Sequence, residues 1–412
     1  MANTYLPRLV DPWLTRMFAE LPAIMIVGPR ASGKTTTARQ HAATVLQLDR
    51  PAEAEAVRAD PDAALRGLAE PVLIDEWQVV PSVLGAVKRA VDGDFRPRRF
   101  LLTGSVRADI DEQSWPGTGR VIRLAMTGLC ERELAGRVEG STYLDRLADG
   151  GVDALSNPAD SPDLRDYVQL ALRGGFPEPA LRLSEDARRE WWDGYVEQML
   201  TRDAQRFADR DPQRLSRYLE AVSLNSAGIV EDKTIYDAAG VNRKTALAYE
   251  DLLQALYLLD VVPAWTTNRL KRLVRAPKRY LTDPALFAAG AKVSLDAVMR
   301  DANLLGRVLD TFVAAQLRAE LPIGASRPRL FHLRQYDGRH EVDLIAELDA
   351  HRVIGIEIKA DSAPGSSSAH HLRWLRDELG DRFVAGIVMH TGPRVYRLDD
   401  RIVAAPIATL WN

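Results

Sequence analysis

Two hydrophobic patterns divide the chain. In the first third, five short runs are apolar at nearly every position: Ala23–Val27 (AIMIV), Val45–Asp49 (VLQLD), Val72–Gln78 (VLIDEWQ), Arg99–Ser105 (RFLLTGS) and Val121–Met126 (VIRLAM). Runs this short, apolar on both faces, predict strands of a parallel sheet covered by helices on both sides. With helices between the strands, the prediction is an α/β, doubly wound parallel sheet. Any ligand should sit at the carboxyl ends of its strands.

Beyond residue 135 the spacing becomes helical. Gly136–Pro162 is rich in Gly, Asp, Ser and Pro and reads as a linker. Leu164–Arg173 reads as a helix that stops at GGFPEP. Asp186–Phe207 repeats Trp191, Tyr195, Met199 and Leu200 at helical spacing, so these side chains are expected in a core. Lys233–Trp265 reads as a short helix, a turn at Gly240, a second helix and a strand, the order of a helix-turn-helix. The last third reads helix (Asn303–Leu321), three strands (RLFHLRQY, HEVDLIAEL, RVIGIEIKA), helix (AHHLRWLRDEL) and strand (FVAGIVMH). The expected division is 1–135, 136–210 (linker and helical lid), 211–295 (winged helix) and 296–412.

Composition narrows the classes. The 412 residues carry 54 Lys and Arg against 57 Asp and Glu, a net charge of −3. A globally basic nucleic-acid binder is excluded, whereas a local basic patch is not. A single cysteine, Cys130, excludes an internal disulfide and a cysteine-rich zinc site. The first residues lack the apolar core of a signal peptide, and no run reaches the ~18 apolar residues of a membrane span. The sequence therefore predicts a soluble, cytoplasmic protein without a membrane partner.

The first strand leads directly into GPRASGKT, Gly28–Thr35, and then into a helix. Strand, glycine-bounded loop, Lys-Thr and helix together make the context of a phosphate-binding loop. Backbone N–H groups and a helix amino terminus wrap phosphates. Gly28, Arg30, Ser32, Gly33, Lys34, Thr35 and Thr36 are the expected nucleotide contacts. Lys34 neutralises the terminal phosphates, and Thr35 offers its hydroxyl to magnesium. ATP and Mg are the implied cofactors. In VLIDEWQ, Asp75 is expected in the magnesium shell and Glu76 to polarise the attacking water. Ser105, or Thr103, ends the next strand where a γ-phosphate sensor would stand. Arg120 precedes the last strand as a candidate arginine finger, in its own subunit or a neighbour's, with Arg107 a weaker rival.

Two further stretches point to nucleic acid. The second helix of the Lys233–Trp265 unit opens with Asn242, Arg243, Lys244 and Thr245. NRLKRLVRAPKRY follows with no acid in it. A basic hairpin after such a helix pair looks like a nucleic-acid-contacting wing, with Arg272, Arg275 and Lys278 as contacts. In the last third, Glu357 and Lys359 share one strand face and Asp343 lies one hairpin upstream. Asp310 stands on the preceding helix. Asp343 and Glu357 are the expected metal ligands, and Lys359 would orient or deprotonate water.

GPRASGKTT, LIDEWQ, LLTGS, GR and RGGFPEPA occur in the order found in a large prokaryotic family, which the chain resembles over nearly its whole length. The family comprises AAA-type ATPases fused to a C-terminal domain of unknown function. The resemblance implies an AAA core with a helical lid; the family pattern SLAGR before the last core strand is PGTGR here. The last third resembles the restriction-endonuclease-like, or PD-(D/E)XK, core, in the branch of the Holliday-junction resolvases. That branch has Glu where this chain has Asp310. The sequence thus predicts an ATP-binding and ATP-hydrolysing protein associated with nucleic acid, open to homo-oligomerisation. One reading is an ATP-coupled, Mg-dependent nuclease. The other is a regulatory or signalling ATPase, a DNA-binding switch or toxin–antitoxin-like module with an inactive nuclease fold. A third is a remodelling ATPase whose C-terminal domains bind only protein.

Overall fold

A computed structural model describes residues 5–105, 119–203, 211–266, 276–335 and 339–412. The five apolar runs form one parallel sheet: β1 (Ala23–Val27), β2 (Thr44–Gln47), β3 (Val72–Asp75), β4 (Phe100–Gly104) and β5 (Val121–Ala125), in the order β2-β3-β4-β1-β5. Ala23 pairs with Phe100 on one side and Val121 on the other, so all carboxyl ends align. Helix α1 (Val10–Phe18) covers one face with Leu14 and Phe18 buried against Ile24 and Ile26. Helix α2 (Lys34–Arg39) leaves the tip of β1, and α3 (Val83–Gly93) covers the other face. The doubly wound sheet expected from the sequence is present.

After β5 comes a one-turn helix, α4 (Glu131–Leu134). The expected linker holds a helix instead, α5 (Tyr143–Gly150), with Thr142 accepting a hydrogen bond from the Asp145 N–H as its cap. Its composition hid it: Tyr143, Leu144 and Leu147 are buried, whereas Asp149 and Gly150 face solvent. The Asp145 carboxylate receives the backbone N–H groups of Ala325 and Ser326, so the helix packs on the C-terminal part of the chain. Helix α6 (Leu164–Arg173) and the long α7 (Glu185–Gln198) follow as expected. A π-helical turn, Met199–Asp203, ends α7.

The middle of the chain comprises α8 (Pro212–Leu224), α9 (Asp232–Ala239), a left-handed turn at Gly240 (φ +66°), and α10 (Arg243–Ala255). An antiparallel pair comes next, β6 (Leu259–Val262) and β7 (Lys278–Leu281), and then α11 (Pro284–Ala291). The last third starts with α12 (Ala302–Glu320). Strands β8 (Arg329–Gln335), β9 (His340–Glu347) and β10 (Val353–Ile358) are antiparallel neighbours. Helix α13 (His370–Leu379) leads to β11 (Phe383–His390), parallel to β10. Helix, three strands, helix and strand match the predicted order. Two more strands, β12 (Tyr396–Asp399) and β13 (Ile402–Pro406), extend the sheet to β12-β13-β11-β10-β9-β8. One apolar core runs from Tyr143 to Leu410, so the middle helices and this sheet share an interior. No helix among the described residues is long and apolar enough to cross a membrane.

Candidate functional site

The carboxyl end of the first sheet gathers the predicted phosphate-site residues. Gly28 has φ +156°, and a Cβ there would lie 1.9 Å from the Met126 carbonyl oxygen, so only glycine fits. Gly33 caps α2 in a left-handed conformation. Ser32 donates its hydroxyl to the Pro29 carbonyl at 2.8 Å, and the Lys34 ammonium donates to the same oxygen at 2.6 Å. Burial pushes the Lys34 pKa down to about 8, against the pull of Glu76 and Asp75. Thr36 is exposed on α2.

At the tip of β3, Asp75 accepts a hydrogen bond from Thr35 Oγ1 at 2.7 Å and another from Thr103. A hydroxyl and a carboxylate in contact are the donor set that a phosphate-bound magnesium requires, and they fit it. Thr103 thus serves Asp75. Ser105 serves Glu76, donating its hydroxyl at 3.0 Å, and Gln78 holds the same carboxylate oxygen. Glu76 sits at φ +54°, a conformation that costs a non-glycine residue of order 1 kcal/mol and is held by its surroundings.

Arg120 stands elsewhere. Val121 pairs with Ala23, so Arg120 lies at the amino end of the sheet, a whole strand from Gly28. Its guanidinium pairs with Asp92 on α3 at 2.7 Å. The expectation that it reaches the γ-phosphate of its own subunit is therefore corrected. Arg107 lies outside the described residues. Arg173 pairs with Glu131 on α4.

One residue of the site had no signal in the sequence. Arg8, buried, donates to the Ser32 carbonyl of the phosphate loop at 2.9 Å and to the Thr127 and Gly128 carbonyls. It also pairs with Glu133 at 2.9 Å. The neighbouring Arg132 pairs with Glu320 of α12 at 2.5 Å, and the Glu131 N–H donates to Gln316 of the same helix. Three successive residues of α4 thus tie the phosphate loop to the C-terminal helix. Beside the loop, Trp191 and Tyr195 of α7 stack and border a cavity of about 400 Å³ with Arg30 and Ala31. These aromatics are only partly buried, and Tyr195 donates to the Arg30 carbonyl at 3.3 Å.

The second candidate set is also drawn together, with one addition. Asp310 (α12) and Asp343 (β9) contact Lys278 of β7, a residue expected to meet nucleic acid from the wing, while Glu357 (β10) feels its charge and pairs with Lys359. The Lys278 ammonium lies 2.5 Å from Asp310 Oδ2 and 3.5 Å from Asp343 Oδ1. Lys278 is 2 % exposed, which removes it from any nucleic-acid surface. Arg279 beside it is buried too, paired with Glu250 and Asp232. Burial works against the Lys278 charge, but Asp310, Tyr280 and Asp343 outweigh it and raise its pKa. Burial pushes Asp310 up to about 6 and Glu357 up to about 8. Lys359 pairs with Glu357 at 2.9 Å. Among the described residues, no group of three or more His, Cys, Asp or Glu side chains is arranged to hold a metal ion. With the ammonium of Lys278 in their midst, the acids do not fit one.

On α10, Arg243 and Lys244 are exposed. Asn242 is the helix cap, its Oδ1 accepting the Thr245 N–H at 2.9 Å, so that oxygen is committed to the fold. Arg272 and Arg275 lie outside the described residues.

Comparison with known proteins finds three family matches along the chain. Residues 20–135 match the AAA domain family, residues 164–297 match a domain of unknown function (DUF8612), and residues 305–410 match another (DUF4143). Uncharacterized protein Rv2008c of Mycobacterium tuberculosis and uncharacterized protein Mb2031c of Mycobacterium bovis are each 30% identical over 399 residues. The match covers 95% of this chain and 82% of each of theirs. Among solved structures, the Walker-type ATPase PABY2304 of Pyrococcus abyssi is 14% identical, with a TM-score of 0.42. That alignment covers 68% of this chain and 94% of that one.

Proposed function

We propose, for a chain that belongs to the family of the mycobacterial proteins Rv2008c and Mb2031c, that its activity is magnesium-dependent binding and hydrolysis of ATP. The observation that carries this reading is the meeting of Lys34, the Thr35–Asp75 pair and a braced Glu76 at the end of one parallel sheet. Lys34 leaves the Pro29 carbonyl to neutralise the β- and γ-phosphates. Thr35 and Asp75 would hold magnesium, which when bound offsets phosphate charge. Glu76, aimed by Ser105 and Gln78, orients the attacking water and takes its proton. Arg120, exposed at the opposite end of the sheet, suits a finger given to a neighbouring subunit in a homo-oligomer.

The order α9, turn, α10, β6 and β7 supports a winged helix, and Arg243 and Lys244 on the exposed start of α10 support contact with nucleic-acid phosphates. The C-terminal helix-strand order supports a nuclease-like, PD-(D/E)XK fold. Of the two readings of that domain, Lys278 among the acids favours the regulatory ATPase over the ATP-coupled nuclease.

The test is Glu76→Gln. ATP binding, followed by a fluorescent analogue, is expected to persist. Hydrolysis is expected to fall roughly 10²–10⁴-fold, the usual contribution of a positioned base. Turnover within a few-fold of the unaltered protein would remove Glu76 from the mechanism.

A further inference from the structure

The acid cluster of the C-terminal sheet already contains a cation, and it comes from another part of the fold. Lys278 belongs to the β6–β7 pair, whereas Asp310, Asp343 and Glu357 belong to α12, β9 and β10. Besides its two carboxylate contacts, the ammonium lies 3.3 Å from the Asp343 carbonyl oxygen. The outward oxygens of the cluster are occupied. Asp310 Oδ1 accepts from the Tyr280 hydroxyl at 2.9 Å, Asp343 Oδ2 from the Ile358 N–H at 2.9 Å, and Glu357 Oε2 from Lys359 at 2.9 Å. Glu357 Oε1 is buried with no hydrogen-bond partner, on a side chain 4 % exposed.

Carboxylate oxygens hold divalent cations at about 2.0–2.6 Å. An ammonium 2.5 Å from Asp310 stands at that distance, so the nitrogen and a metal ion exclude each other. We propose that Lys278 is the resident cation of this cluster. Asp310 Oδ2, Asp343 Oδ1 and the orphaned Glu357 Oε1 become a divalent-cation site only when its ammonium is removed or withdrawn. The charges agree: three carboxylates face the ammoniums of Lys278 and Lys359, and burial favours a proton on Glu357. The inference rests on the nuclease-like reading only for what a freed site would do. Metal occupancy does not depend on it.

The experiment is a Mn²⁺ titration of the full chain without nucleotide, by calorimetry and by loss of the free Mn²⁺ spin-resonance signal. It compares the unaltered protein, D343N, K278M and K278M/D343N. Any ion held by Thr35 and Asp75 is common to all four. The unaltered protein and D343N are expected to take up equal Mn²⁺. K278M is expected to bind one further ion per chain, lost again in K278M/D343N. An Asp343-dependent ion in the unaltered protein overturns the proposal. So does the absence of an extra ion in a K278M protein with native circular dichroism and ATP turnover. Should K278M fail to fold, K278Q replaces it, and the required equality of the unaltered protein and D343N still stands as a test. Cleavage of DNA or RNA by the Mn²⁺-loaded variants is scored separately. Metal uptake without cleavage keeps this proposal and removes the nuclease reading.

Discussion

Replacing Lys34 by methionine is expected to stabilise the nucleotide-free protein while abolishing nucleotide binding. The Lys34 side chain is 4 % exposed, and burial lowers its pKa from 10.5 to about 8. Below pH 8 the ammonium is charged in folded and unfolded chains alike, and the folded state bears the cost of its burial. As pH rises from about 8 to 10.5, the folded state releases its proton first. The unfolded state then binds more protons, so stability rises with pH. The shift corresponds to about 3 kcal/mol at neutral pH. Methionine keeps the stem in place but forfeits the hydrogen bond to the Pro29 carbonyl, worth about 1 kcal/mol. The net gain at pH 7 is therefore about 2 kcal/mol, several degrees in the melting of the AAA domain. Differential scanning fluorimetry at pH 7.0 and 9.5 measures it. The advantage of K34M should shrink by more than half at the higher pH. Added ATP should raise the melting temperature of the unaltered protein alone. A variant that melts at or below the unaltered protein at pH 7, or whose advantage ignores pH, refutes the assignment of a costly buried charge to this lysine.

Two further outcomes follow from named contacts. Arg132→Met leaves Glu320 buried without its guanidinium, and chemical denaturation should show a loss of about 3–5 kcal/mol, partly recovered when Glu320→Gln is added; no recovery would mean the pair is not what Arg132 supplies. Reversing Arg243 and Lys244 to glutamate should weaken nucleic-acid binding and flatten its dependence on salt, measured by fluorescence anisotropy; unaltered affinity and salt slope would take α10 out of the interface.

The meeting of the candidate phosphate-site residues was legible in the sequence because its parts are local. Gly28 through Thr35 are contiguous, and Asp75 and Glu76 end a strand whose apolar run announces it. The partners of Arg8 were not legible, since its contacts lie 24 to 125 residues away and nothing in YLPRLV marks them. Lys278 and Arg279 misled for the same reason. In a stretch with no acid they read as solvated, but their counter-charges come from Asp310, Asp343, Glu250 and Asp232, 29 to 65 residues distant. The convergence of Asp310, Asp343 and Glu357 was readable from strand alternation. The ammonium placed among them was not, because its strand belongs to a different pattern. Arg120 was correctly set before β5, and in a parallel sheet that position already implies the amino end, opposite a loop that follows β1; the expectation of a finger did not draw that consequence.

The one-turn helix α4 also determines where this chain cannot be divided. The match to the AAA domain ends at residue 135, directly after it. A fragment cut there would keep Glu131 and Arg132 but lose Arg173, Gln316 and Glu320, leaving a guanidinium shaped for burial with no counter-charge. The remaining piece would hold Glu320 in the same predicament. The sequence boundary is therefore not a seam in the folded molecule. Contacts that complete the parallel-sheet domain come from the far end of the chain, so a fragment ending at residue 135 is expected to be less stable than the same residues in the full chain.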